Sequence, residues 1–161
     1  MSNLVERCGD LPRTSVPAGT VLIEQGQSPG AVYVLVDGEV AIERNGQGLA
    51  RVNLEGAMFG EMSTLLQCPA TATVRTTMES TFIVADDGEA FLISRPEVTL
   101  SVARALAGRL DNVSGYLVEV KRQFGGEKGH LGMLDEILSD LVNKQPPPVK
   151  PGSARMPDYD Y

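Results

Sequence analysis

Positive charge is scarce in this 161-residue chain: Lys and Arg total 14 against 21 Asp and Glu, for a net charge of −7. That balance disfavours a nucleic-acid partner, because phosphate backbones reward clustered cations. Tryptophan is absent, and cysteine occurs only at positions 8 and 68. Two cysteines are too few for a disulfide framework, and their separation is not that of a metal site. A reducing, cytoplasmic setting is expected, with a Cys8–Cys68 bridge as the alternative. No apolar run approaches the ~20 residues of a membrane span, and the first sixteen residues hold no apolar core of signal-peptide length. The single histidine, His130, lies in a glycine-rich stretch with no evident nucleophile–base pair. An enzyme is therefore not expected, and His130 reads as an exposed linker residue. No metal or cofactor is expected.

What is present divides at Pro96. A lead-in segment, residues 1–12, ends at Pro12. From Thr14 to about Ala85 short β-forming runs alternate with turn residues: Val21–Ile23, Ala31–Val36, Glu39–Arg44, Leu49–Leu54, Ala70–Thr77 and Thr81–Ala85. Asp37-Gly38 and Asn45-Gly46 separate three of these runs. Both dipeptides suit two-residue hairpin turns of type I′, which need positive φ at both positions. Many short strands with regular turns predict an antiparallel sandwich or barrel over residues 13–96.

From Glu97 to Phe124 the apolar period becomes helical. Ala103, Leu106, Leu110, Val113, Leu117, Val120 and Phe124 are spaced 3, 4, 3, 4, 3, 4. That narrow heptad seam predicts a long helix, residues 97–124, that faces a second helix, so a homodimer through residues 103–124 is expected. The alternative is a helix covering its own β-domain, with the seam as ordinary core. Gly108 and Gly115 each weaken the helix by roughly 1 kcal/mol relative to Ala, unless they permit close helix–helix approach. A glycine-rich linker (125–133), a short amphipathic helix (134–145) and a Pro-rich, disordered tail (146–161) are predicted beyond it.

The stretch Met58 to Arg75, MFGEMSTLLQCPATATVR, carries the most chemistry. Gly60 suits a tight backbone approach. Residues 58–66 read as a strand end leading into one or two helical turns, whose first amides can meet an anion. Glu61, at that helix start, could accept hydrogen bonds from a sugar hydroxyl pair. On spacing alone the simpler reading leads: Glu61 as an acid suited to the helix dipole and Gly60 as a turn glycine.

A resemblance shifts that balance. Pro17-Ala18-Gly19, Glu24-Gln25-Gly26, the run Val32 to Val40 (VYVLVDGEV), Phe59-Gly60-Glu61-Met62-Ser63 and Pro69 to Arg75 (PATATVR) stand in the order found in cyclic nucleotide-binding domains. From about Pro12 to Gln123 the chain resembles that module of catabolite activators, protein kinase A regulatory subunits and cyclic-nucleotide-gated channels. The resemblance implies a mainly β fold with α-helix, an antiparallel β-roll followed by a long helix. It implies Glu61 on the ribose 2′-hydroxyl, backbone amides near Met62 and Ser63 on the cyclic phosphate, Thr71 offering its hydroxyl or amide to the same phosphate, and the long helix over the base. The possible ligand is cAMP or cGMP.

One position departs. Family members read Pro-Arg-x-Ala-Thr, and their arginine pairs with the phosphate; here Ala70 takes its place. Losing a charge-assisted contact of roughly 1.5–3 kcal/mol weakens binding about ten- to a hundred-fold or more. Arg75 is no substitute: five residues along a strand puts it on the opposite face, roughly 17 Å away. Arg104 and Arg109 on the long helix are read as solvated. Three readings follow: a regulatory sensor domain with weakened cyclic nucleotide binding that signals through the long helix, a dimerising interaction module without a ligand, and a transcription regulator lacking its own DNA-binding domain. The third is weakest, because the region after the long helix has no basic cluster. A downstream protein partner is expected but not named by the sequence.

Overall fold

The computed structural model describes residues 4–28, 30–124 and 136–141. The chain forms two compact units, one running to Val102 and the other starting at Ala103. The first begins with a short helix α1 (Leu4–Arg7) and continues through β1 (Arg13–Val16), β2 (Val21–Ile23), β3 (Val32–Asp37), β4 (Val40–Arg44), β5 (Gln47–Val52) and β6 (Met58–Phe59). Helix α2 (Glu61–Leu66), β7 (Thr73–Thr76), β8 (Ser80–Ala85), α3 (Gly88–Ser94) and α4 (Pro96–Phe124) follow. All strand pairs are antiparallel. They form two four-stranded sheets, ordered β1-β8-β3-β6 and β2-β7-β4-β5. The predicted β-roll with a long helix after it is therefore the observed architecture.

The period of two decides which residues line the roll. Leu35 pairs with Phe82, and Tyr33 with Val84 and Phe59. These side chains join Ile23, Val40, Ala70 and Val74 in one apolar cluster between the sheets. The alternate residues of the same strands, Val32, Val34, Ile83 and Ala85, are also buried but on the other face. Helix α1 packs against β3 there, and a Cβ added to Gly88 would lie 2.6 Å from Cγ2 of Val32. A sheet buried on both faces reads as a near-continuous apolar run, as AVYVLV does.

The two X-Gly dipeptides behave differently. Asn45-Gly46 makes the expected hairpin: both residues have positive φ (52° and 75°), and Arg44 pairs with Gln47. Asp37-Gly38 does not. Only Gly38 has positive φ, at 107°, and β3 and β4 belong to different sheets. The chain crosses between sheets there, beside the return crossing from β7 to β8. Glu39 N donates to Ser80 Oγ at 3.2 Å, and Thr77 N donates to Glu39 O at 2.9 Å. Gly38 is required at this crossing, since its Cβ would lie 2.2 Å from Ser80 Oγ.

Helix α3 is also a departure, because the sequence reading kept this stretch within the 13–96 roll. Asp87 caps it, accepting from Ala90 N at 2.9 Å. The lead-in segment is anchored where α3 meets α4. Arg95 donates to Arg7 O at 2.8 Å, pairs with the Asp10 carboxylate and lies 5.4 Å from the Phe91 ring centre. Arg7 in turn donates to Glu97 O at 3.3 Å. Cys8 and Cys68 are both free thiols.

Helix α4 starts one residue before the expected Glu97. Val98 and Val102 are buried, whereas no described side chain of the heptad seam is. Leu110 and Val113 are 47% and 50% exposed, and Ala103 is exposed as well. The seam is thus not ordinary core of the described residues. Gly108 and Gly115 do not serve close approach along it. At 100° per residue they lie on the opposite side of the helix, and an added Cβ on either meets nothing within 4 Å. Residues 136–141 are helical, inside the predicted 134–145 helix. The linker (125–133) and the tail (146–161) lie outside the described residues. Among those described, no helix is long and apolar enough to cross a membrane.

Candidate ligand-binding site

Strand β6 ends the first sheet beside β3 and delivers the chain to Gly60, whose φ is +91°. The tight approach expected of this glycine is present: an added Cβ would lie 2.5 Å from the Ala31 carbonyl oxygen and 3.4 Å from Cδ1 of Ile23. Its own carbonyl accepts from Thr64 N at 3.2 Å and from Thr64 Oγ1 at 2.9 Å, closing the first turn of α2. The amides at the head of such a turn have no carbonyl inside the helix to meet.

Helix α2 inverts the usual pattern. Its buried residue is Glu61, only 5% exposed, while Met62, Leu65 and Leu66 are 41%, 39% and 40% exposed. A six-residue amphipathic helix would normally bury the leucines. Burying a carboxylate is costly unless it is partnered, and Glu61 is engaged within the protein. Ser63 is half-buried, and its carbonyl accepts from Cys68 N at 3.2 Å as the helix ends on Gln67 in the left-handed region.

The second half of the segment is held from outside the helix. Ala70 N donates to Gln27 O, and Ala70 O accepts from Gly26 N, both at 2.8 Å. Gln25 N donates to Thr73 Oγ1 at 3.1 Å. The Gln25 side chain meets Asn45 twice: Nε2 to Oδ1 at 2.7 Å, and Asn45 N to Oε1 at 2.8 Å. The turn at 24–27 thus clamps residues 70–73 to the β4–β5 hairpin. Gln25, Gln27 and Asn45 were missed as structural partners of the site; Glu24-Gln25-Gly26 was legible only as a block in sequence.

Ala70 is 4% exposed and packs in the interior cluster with Ile23, Phe59 and Val74. Gly60 borders Ile23, which belongs to the same apolar cluster as Ala70. Glu61 stands next to Gly60, Thr71 is half-buried beside Ala70, and the Met62 side chain is exposed.

The roll unit has no lysine, and its arginines are Arg7, Arg13, Arg44, Arg51, Arg75 and Arg95. The expected strand Ala70–Thr77 is shorter, Thr73–Thr76 (β7), and within it Arg75 is exposed between buried Val74 and Thr76 and donates to Gly19 O at 3.1 Å. Arg51 lies 3.3 Å from Glu39, while Arg7 and Arg95 hold the α3–α4 junction. Arg13 and Arg44 are exposed, on edge strand β1 and beside the hairpin turn. Burial raises the pKa of Tyr33, with a smaller contribution from Asp86. Its ring meets Phe82 edge-on at 6.3 Å. Among the described residues no three His, Cys, Asp or Glu side chains converge as a metal site.

The family model for the cyclic nucleotide-binding domain matches residues 13–92. Residues 13–92 belong to the cyclic nucleotide-binding domain family. The domain shares 36% identity over 72 residues with an uncharacterized ABC transporter ATP-binding protein of Mycobacterium tuberculosis strain H37Rv, covering 42% of this chain and 22% of that one. A Mycobacterium bovis protein of the same description matches equally. The chain thus spans about a fifth of the curated relatives it matches. Among solved structures, the catabolite activator protein of Thermus thermophilus aligns at a TM-score of 0.61 and 26% identity, over 73% of this chain and 59% of that one. The N-terminal domain of a transcriptional regulator from Streptomyces coelicolor A3(2) aligns at 0.50 and 27% identity, over 68% and 82%. A cAMP-bound protein kinase A regulatory subunit shares the fold at 0.54 and 20% identity, over 68% and 37%.

Proposed function

We propose that this chain is a regulatory sensor domain in which a ribose-bearing ligand engages Glu61, with cAMP or cGMP bound weakly for want of a cation at position 70. The observation that carries the reading is the inward carboxylate of α2, a helix whose leucines face outward. Gly60, the amides of Glu61, Met62 and Ser63, and Thr71 complete the proposed contacts, while Ala70 marks the missing one. Ligand binding shifts a two-state equilibrium that α4 transmits. The start of α4 is seated through Val98 and Val102, so movement of the roll reaches the helix directly. The seam along residues 103–124, none of whose described side chains is buried, pairs with a second copy, and the output goes to a protein partner or to another part of a longer polypeptide. Calorimetric titration with cAMP and cGMP tests this reading: weak, saturable heats are expected, and no response at millimolar nucleotide would eliminate it.

A second reading has its own support. Ala70 is packed among apolar side chains with both its backbone groups engaged, as expected of a roll that has closed its ligand site and serves only as a dimerising module. Both readings need the seam. Replacing Leu110 and Leu117 by Asp is expected to convert a dimer to a monomer in sedimentation, and an unchanged mass would refute pairing through α4.

A further inference from the structure

We infer that the site selects an uncharged cis-diol of the ribonucleoside class over a cyclic nucleotide. The inference rests on the proposal that a ligand engages Glu61, and it adds which chemistry that ligand carries.

Three observations at position 70 point the same way. Its side chain is a methyl group, 4% exposed, in contact with an apolar cluster that includes Ile23, Phe59 and Val74. Its N–H is already committed to Gln27 O at 2.8 Å, so the backbone there offers an incoming anion no donor either. The 24–27 turn that holds this N–H is itself tied to Thr73 and Asn45, so freeing the amide would break a connected set of bonds. An anionic phosphate placed here would meet no cation and no donor from position 70, and the amides of α2 and Thr71 alone leave its charge without a counter-charge, which is a costly way to bury it.

The remaining cations of the roll do not supply the deficit. Four of its six arginines are bonded elsewhere, and Arg13 and Arg44 are exposed. The opposite holds for a diol. Two hydroxyl donors on one carboxylate form charge-assisted hydrogen bonds with no second charge to bury. A ligand without the phosphate needs neither the arginine nor the room that the Ala70 methyl and its neighbours occupy. Removing the cation while keeping the acid thus changes which ligand is preferred as well as lowering affinity for the original one.

The test is calorimetric titration of the full chain with adenosine, guanosine, cyclic AMP, cyclic GMP and 2′-deoxyadenosine. At least one ribonucleoside is expected to bind tenfold or more tightly than its own cyclic monophosphate. Where that nucleoside is adenosine, 2′-deoxyadenosine is expected to bind at least tenfold more weakly than it does. The Glu61→Gln variant, checked for folding by circular dichroism, is expected to lose nucleoside binding, and Ala70→Arg to reverse the order of preference. A cyclic nucleotide that binds as well as or better than its nucleoside would overturn the inference while leaving the sensor reading standing. The same holds if such binding is lost in Arg44→Gln, which would identify a replacement cation. Silence from all five compounds at millimolar concentration would remove the inference and the sensor reading together.

Discussion

Residues 60–66 and 69–73 belong to one segment, yet the two parts are stabilised by different means. The first part is closed largely by its own backbone turn. Gly60 turns the chain against the Ala31 carbonyl, its own carbonyl accepts from Thr64 twice, and Glu61 turns inward. The second part depends on distant residues: Ala70 and Thr73 are held by the 24–27 turn, and that turn by Asn45. The first holds the acid that the proposed reading assigns to a sugar, and the second has an apolar side chain where that reading lacks a cation. Within one short segment, a buried acid at position 61 and a buried methyl group at position 70 are held by different sets of bonds.

Substitutions separate the two parts in order of effect. Gly60→Ala strikes the first, where a Cβ meets a backbone carbonyl that cannot swing aside and φ is +91°. A loss of about 2–3 kcal/mol is expected in urea denaturation, and a change under about 0.5 kcal/mol would show that Gly60 and the Ala31 carbonyl are not in close contact. Gln25→Ala strikes the second by removing both bonds to Asn45. These bonds are exposed, so the expected loss is about 1 kcal/mol, with nucleoside affinity changing more than stability if the clamp sets the wall at Ala70. Asp10→Asn touches neither part and serves as a control. The Arg95 guanidinium bonded to Asp10 holds that carboxyl below its usual pKa. Its stabilisation is therefore complete above the unfolded value of about 3.9 and is lost as the pH falls through the lower folded value. The variant should flatten the acid side of the stability profile and leave ligand binding at pH 7 unchanged.

How much of this was legible in sequence depends on the range of the interactions. Asn45-Gly46 was, because a type I′ turn is set by two residues and both adopt positive φ. Asp37-Gly38 carries the same local signal but is overridden: Ser80, brought in from more than forty positions away, holds Glu39 and leaves no room for a side chain at Gly38. Helix α3 had a cap in Asp87 and a packing glycine in Gly88, but the contact that makes Gly88 necessary is with Val32. Gly60, Glu61 and Ala70 were singled out through motif order, and the structure places all three beside or within the interior of the roll. The Gln25–Asn45 clamp was not, since nothing in either residue announces a partner twenty positions off.

The central claim is that position 70 decides what the site accepts. Ala70→Arg, titrated with cyclic AMP beside the unaltered chain, tests it most directly. Restoring the charge-assisted contact is expected to lower Kd at least tenfold, in keeping with about 1.5–3 kcal/mol for such a bond. An unchanged Kd in a folded variant would mean that the cation belongs elsewhere and that the methyl group at this position decides nothing.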